Sequence, residues 1–101
     1  MQRVVIYLKR RTDLPQPHFF DWWLERHVPY VKKFPAVRKY RVSVVESGPE
    51  TVVDGVAEVW FDDMATLRRV MASELVKEAQ RHSVAYTSDR IRLVVAEHRI
   101  R

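Results

Sequence analysis

Residues 4–8, Val-Val-Ile-Tyr-Leu, are apolar or aromatic on both phases of an extended chain. Side chains alternate between faces along a strand, so Val4, Ile6 and Leu8 point one way and Val5 and Tyr7 the other. The stretch 53–61 repeats the pattern, with Ala57, Val59 and Phe61 opposed to Val56 and Trp60. A sheet built from such strands has to be covered on both faces. No other feature limits the choice of fold as strongly.

Breakers and caps set out the remaining elements. Residues 3–9 read as strand one. Thr12 to Pro17 is a turn, with Gln16 as a poor cap and Pro17 at the first helical position, where its missing N–H costs nothing. Phe20, Trp23, Leu24, His27 and Val31 then share one helical face, with Asp21, Glu25 and Arg26 off it. Pro29 is expected to kink or end this helix near His27. Pro35-Ala36 turns the chain into strand two, residues 38–46. Ser47-Gly48-Pro49-Glu50 is a turn cluster before strand three, residues 53–61. Asp62 and Asp63 cap a second helix, Met64 to Ala72, with Met64, Leu67, Val70 and Met71 inward. Ser73 interrupts it and residues 74–82 add a further turn or two. Tyr86 to Asp89 reads as a loop, and residues 90–99 as strand four.

The order β-α-β-β-α-β predicts one α+β domain over residues 1–101. It is that of a ferredoxin-like fold, a four-stranded antiparallel sheet with both helices on one face. One helical layer covers one face only. A second copy packed against the bare face supplies the missing cover, so a homodimer is expected.

Composition narrows the chemistry. The chain has two glycines, Gly48 and Gly55, and no cysteine. Neither G-x-G-x-x-G nor G-x-x-x-x-G-K-[ST] can be written, which removes the glycine-rich phosphate cradles. Disulfides, thiolate nucleophiles and zinc-thiolate sites are excluded as well. The lack of cysteine fits a reducing cytoplasm, where the protein is expected. Lys and Arg number 18 and Asp and Glu 13, a net charge of +5. These charges are scattered, with no block that tracks a phosphate backbone. No stretch approaches the roughly 20 apolar residues of a membrane span. The chain opens directly on a strand pattern, so no signal peptide is expected.

Several strings resemble one family. Phe19-Phe20-Asp21-Trp22-Trp23-Leu24-Glu25-Arg26-His27-Val28-Pro29 is similar to the W-L-x-x-H-x-P signature of EthD-like proteins, named for ethyl tert-butyl ether degradation. Phe34-Pro35-Ala36-Val37-Arg38-Lys39-Tyr40 resembles the family's L-P-G-[LV]-x-x-Y, with Ala36 where glycine is common. Asp54-Gly55-Val56-Ala57-Glu58-Val59-Trp60-Phe61 resembles its D-G-x-A-E-x-W-F strand, and Val94-Val95-Ala96-Glu97-His98 its closing strand. Pro15-Gln16-Pro17 replaces the usual Ser-Pro cap. The segment His82-Ser83-Val84-Ala85-Tyr86 lacks the acidic residue often found before strand four. The resemblance implies a dimeric α+β barrel made of two ferredoxin-like subunits, each with a pocket between helices and sheet. Relatives in that superfamily include cofactor-independent monooxygenases, muconolactone-type isomerases and haem-degrading enzymes. It implies oxidoreductase activity, and it places His27 in the signature.

His27 is the candidate catalytic residue. Its unperturbed pKa of about 6.5 suits acid–base work near neutrality, and burial favours the neutral base. A neutral imidazole among aromatic rings can take an acidic proton from a phenol or lactone. The carbanion left behind then reacts with oxygen or shifts a double bond. The alternative is a core histidine bonded to backbone at a helix end. Phe20, Trp23, Tyr7, Tyr40 and Trp60 are candidate lining residues for an apolar, aromatic ligand, or plain core. Glu58, Val94, Ala96 and His98 are assigned to the dimer interface, with a substrate-side acid the alternative for Glu58 and a structural role the alternative for His98. Glu58 is expected to pair with an arginine such as Arg3 or Arg92, because carboxylates are rarely buried alone.

His18, His27, His82 and His98 show no H-x-H, H-x-x-x-H or H-E-x-x-H spacing, so no metal is expected. No cofactor is expected either, and the absence of G-x-S-x-G argues against a serine nucleophile. Three classes then compete. One is a cofactor-free oxygenase or isomerase acting on an apolar, aromatic molecule. Another is a ligand-binding or accessory protein without turnover. The third, an RNA-recognition module, shares the element order. Its third strand needs stacking aromatics where Gly55-Val56-Ala57-Glu58-Val59-Trp60-Phe61 carries valine and glutamate. Nucleic-acid binding is set aside on that mismatch.

Overall fold

Four strands alternate with helices in the computed structural model, which describes residues 1–48 and 53–101. They are β1 (Gln2–Arg10), β2 (Lys39–Val44), β3 (Gly55–Phe61) and β4 (Thr87–Ala96). All pair antiparallel in the order β2-β3-β1-β4, so β1 and β3 are central. This is the ferredoxin-like arrangement expected from the element order. The two strands that are apolar on both phases are the two flanked on both sides, as burial requires.

Register sorts the side chains by face. Val4 lies between Val59 and Val94, and Ile6 between Ala57 and Arg92. That phase faces the helices, with Val4, Leu8, Val59 and Phe61 nearly inaccessible to solvent. Full burial of each such side chain is worth about 1.5–3 kcal/mol. The other phase carries Val5 between Glu58 and Leu93, and Tyr7 between Val56 and Ile91. No described helix covers it.

The first helical segment departs from the expected periodicity. It begins as α1 (Gln16–Trp22), one residue earlier than the Gln16 cap implied, with Pro15 at the cap position. It widens into a π-helical turn, Trp23–His27, and resumes as α2 (Val28–Val31). Pro29 neither ends nor breaks it. A proline lacks the N–H for the carbonyl four residues back and clashes with it. The wide turn absorbs that conflict: the Val28 N–H bonds the Trp23 carbonyl five residues back, the bonding that defines a π-bulge. It also changes the phase. Phe19, Trp22, Trp23, His27 and Val31 are buried, whereas Leu24, expected inward, is 50% exposed.

The second helical region matches its sequence signals closely. Asp63 caps α3 (Met64–Met71), its carboxylate accepting the Thr66 N–H at 2.8 Å. Ser73 separates it from α4 (Glu74–Val84), which runs two residues past the expected end. Leu67, Val70, Val76 and Ala79 pack on Val4, Val59 and Phe61. The expected loop at Tyr86–Asp89 is already strand from Thr87 on, and β4 closes at Ala96. β2 and β3 are shorter than expected, and Pro49 and Glu50 of the predicted turn lie outside the described residues.

Asp54-Gly55 fixes how helix and sheet meet. Asp54 is buried and accepts from the Arg10 N–H at 2.9 Å and from Arg10 Nε at 3.2 Å, tying β3 to β1. Gly55 leaves room for the Trp23 ring above it. A Cβ there would stand 2.0 Å from Trp23 Cζ3. Among the described residues no helix is long and apolar enough to cross a membrane.

Candidate active site between the first helix and the sheet

The π-turn delivers Trp23 and His27 to the sheet surface together. His27 is 7% exposed. Its Nδ1 lies 3.0 Å from Nδ1 of His82 on α4, and the two ring planes are 4° from parallel. One of these two nitrogens carries the proton and the other accepts it. The rings of Trp22 and Tyr30 stack on both imidazoles, and Tyr86 stacks on Trp22 at 4.6 Å. His27 Nε2 makes no hydrogen bond among the described residues.

Burial holds His27 neutral. Its pKa falls from 6.5 to about 4, first through desolvation and then through the charges of His82 and Arg90. His82 is also lowered, by desolvation and then by Arg26. Protonating both rings would set two N–H groups against each other across 3.0 Å, which adds to the cost of charging the second ring once the first is charged.

Two small cavities of about 20 Å³ each lie under this turn. Ile6, His27, Val31, Val59 and Arg90 belong to both walls. Trp23 and Tyr40 complete one of them. Each has room for about one water molecule. Three polar groups in these walls are buried without a hydrogen bond: Trp23 Nε1, Tyr40 Oη and Arg90 Nε. Desolvation raises the Tyr40 pKa, so the phenol stays protonated and is a donor. Desolvation, then the charge of Arg92, lowers that of Arg90. A more polar cavity of about 170 Å³ lies elsewhere, beside the Arg10–Asp54 pair, and contains no histidine.

The sequence-derived candidates therefore divide. His27, Trp23 and Tyr40 meet at one cavity. Phe20 packs in the neighbouring cluster against Phe19 and does not line it. Tyr7 and Trp60 stand on the opposite sheet face. There Trp60 is covered by Lys39, Arg3 and Arg41, at 4.8, 5.6 and 5.9 Å from its ring centre. Glu58 shares that face, with Arg3 Nε at 3.3 Å in an ion pair lacking hydrogen-bond geometry. Val94 and Ala96 are on the helix-facing phase, paired with Val4 and Gln2, and both are exposed. His98 lies beyond β4, exposed. No motif or spacing in the sequence marks Arg90 or His82 as part of a site. A charged residue on the core phase of strand four was the available signal for Arg90. Among the described residues no three metal-ligating side chains gather.

The EthD domain profile matches residues 11–89, which include both the helix bearing His27 and the strand that receives it. The chain belongs to the EthD domain family. No curated protein matches this EthD chain in sequence. Among solved structures it is similar to an EthD family protein from Bacillus halodurans, with a TM-score of 0.81 and 19% identity over 97% of this chain and 100% of that one. A dimeric ferredoxin-like protein of unknown function from Thermobifida fusca has a TM-score of 0.75 and 11% identity, covering 95% of this chain and 90% of its own. SnoaB, a cofactor-independent oxygenase from Streptomyces nogalater, has a TM-score of 0.71 and 12% identity over 97% and 93% of the two chains. At these identities the likeness establishes the shared fold.

Proposed function

We propose that this EthD domain acts as a homodimer that binds a small apolar, aromatic molecule between its first helix and its sheet, with His27 as the base. The observation that carries the reading is the environment of His27. The ring is buried, neutral and oriented by His82 through Nδ1, its second nitrogen makes no hydrogen bond among the described residues, and the residue lines a cavity. A base of this kind removes a proton from a carbon or oxygen acid, and the pair left on the substrate attacks dioxygen or takes the proton back at another carbon. Neither route needs a bound cofactor. SnoaB, of the same fold, is described as a cofactor-independent oxygenase. Entry of a ring-sized molecule requires the cavity wall to open, and Arg90, part-exposed on the edge strand β4, is a wall member that reaches the surface.

The dimer is supported by the helix-free face. Ile91 and Leu93 are 47% and 45% exposed there, beside Val5 and Tyr7. A contiguous apolar face of this kind is what a second copy covers. Two neighbours of this fold are described as dimeric.

The low basicity of His27 favours a second reading, a ligand-binding or accessory protein without turnover. A pKa of about 4 lies well below that of an efficient general base at neutral pH. The test is a turnover screen of phenols and lactones, in air and under nitrogen, with wild type and His27→Ala. Turnover by wild type that His27→Ala abolishes supports the base. Equal turnover in both removes it. Binding without turnover selects the second reading.

A further inference from the structure

A base as weak as His27 leaves the other half of the proton transfer to be explained. Something has to stabilise the anion that appears when the proton leaves. The cavity that His27 lines also holds Arg90 and Tyr40, and both present a buried donor with no acceptor, Arg90 Nε and Tyr40 Oη. Unpaired buried donors are uncommon, and leaving a buried donor of a charged group without an acceptor costs more than leaving a neutral one. Arg90 forms no ion pair among the described residues; the Asp89 carboxylate beside it accepts from the Arg90 backbone N–H instead, at 2.8 Å. The charge of Arg92, of the same sign, acts on it as well. The walls between these groups are Ile6, Leu8 and Val59, which offer no acceptor of their own.

We propose that Arg90 and Tyr40 form an oxyanion-binding wall of this cavity, and that its ligand is a weak oxygen acid, a phenol or enol, taken as its anion. The inference rests on the reading that the cavity under His27 is the ligand site. With the Nδ1–H of His27 donated to His82, the ligand O–H gives its proton to His27 Nε2, the electron pair stays on oxygen, and that oxygen accepts from Arg90 Nε and Tyr40 Oη. The negative charge offsets the Arg90 charge that disfavours protonated His27, so imidazolium and oxyanion stabilise each other. A neutral aromatic ether of the same shape gains none of this.

The probes are 4-nitrophenol, whose anion is yellow, and its methyl ether 4-nitroanisole, which cannot ionise. Both are titrated against the intact protein, well below the pKa of free nitrophenol, by equilibrium dialysis and absorbance. The expected result is bound nitrophenol with the anion band, and binding of the phenol at least about tenfold tighter than of the ether, the worth of a hydrogen bond to a charged group. Arg90→Met should abolish the band and level the two affinities while ether binding persists. Arg90→Lys should restore part of the band, and Tyr40→Phe should weaken it. Retained ether binding shows that each variant still folds. Nitrophenol bound as the neutral acid, or an anion band that survives Arg90→Met, overturns the oxyanion wall and leaves the site reading standing. Failure of both probes to bind wild type overturns the site reading and the wall with it.

Discussion

Trp23 occupies the space in which a side chain at Gly55 would begin, with its Cζ3 2.0 Å from where that Cβ would be built. Helix and strand are fitted to each other at this point, one supplying bulk and the other its absence. Gly55→Ala is therefore expected to destabilise the fold by at least about 2 kcal/mol, in the range of overpacked cores. Combined with Trp23→Phe, it should cost less than the two single changes added together, because the smaller ring makes room. Urea unfolding of the four proteins measures this, and strict additivity would show that the two residues do not constrain each other.

Ala36 has φ of +62° in the turn that leads into β2. A side chain in this left-handed conformation costs roughly 1–2 kcal/mol relative to glycine. Ala36→Gly should raise stability by about 1 kcal/mol, or roughly 4–8 °C in Tm for a domain of this size. A lower Tm would mean that the unfolded-state freedom of glycine outweighs the strain.

Acid should unfold the protein partly through His27. Its pKa is 6.5 when unfolded and about 4 when folded, because burial and then the charges of His82 and Arg90 oppose protonation. Between those values the unfolded chain takes up a proton that the folded chain refuses. This contribution to stability is therefore intact above pH 6.5, declines as pH falls, and below the window has removed about 3 kcal/mol. His27→Gln should flatten the profile through that range. Urea midpoints against pH for both proteins check this, since the carboxylates are common to both and cancel. Parallel profiles would exclude His27 as the source.

Leu93 lies on the helix-free face, beside Val5 on β1. Leu93→Glu places a charge where a second copy is expected to pack. The variant should sediment as a monomer near 12.1 kDa, and wild type at about twice that mass. A wild-type monomer would leave the helix-free face without its proposed cover.

The fold was largely legible because its signals are local. Runs of β-branched residues, Asp63 at a cap and the order of elements led to the sheet that is observed. The helix phase was not legible. A 3.6-residue period assumes a regular helix, and Pro29 reads as a stop when taken alone; only the widened turn reconciles it with Val31. At the site, His27, Trp23 and Tyr40 were legible as aromatic or titratable groups on apolar phases. Tyr7 and Trp60 have the same aromatic signal, and two-faced strands do not tell which face the helices cover. His82 and Arg90 reach His27 only through tertiary packing, from α4 and from the pairing of Arg90 with Leu8, and no local pattern carries that.

The sheet also divides the tryptophans. Trp22 and Trp23 are on the helix side, and Trp60 lies beneath its cations on the other. Each population emits light from a different environment. Keeping Trp60 alone turns fluorescence into a reporter of contact between copies. Keeping Trp22 alone, 5.1 Å from His27, makes it a reporter of that ring's protonation. Events on the two faces can thus be timed separately in one molecule, without an added dye.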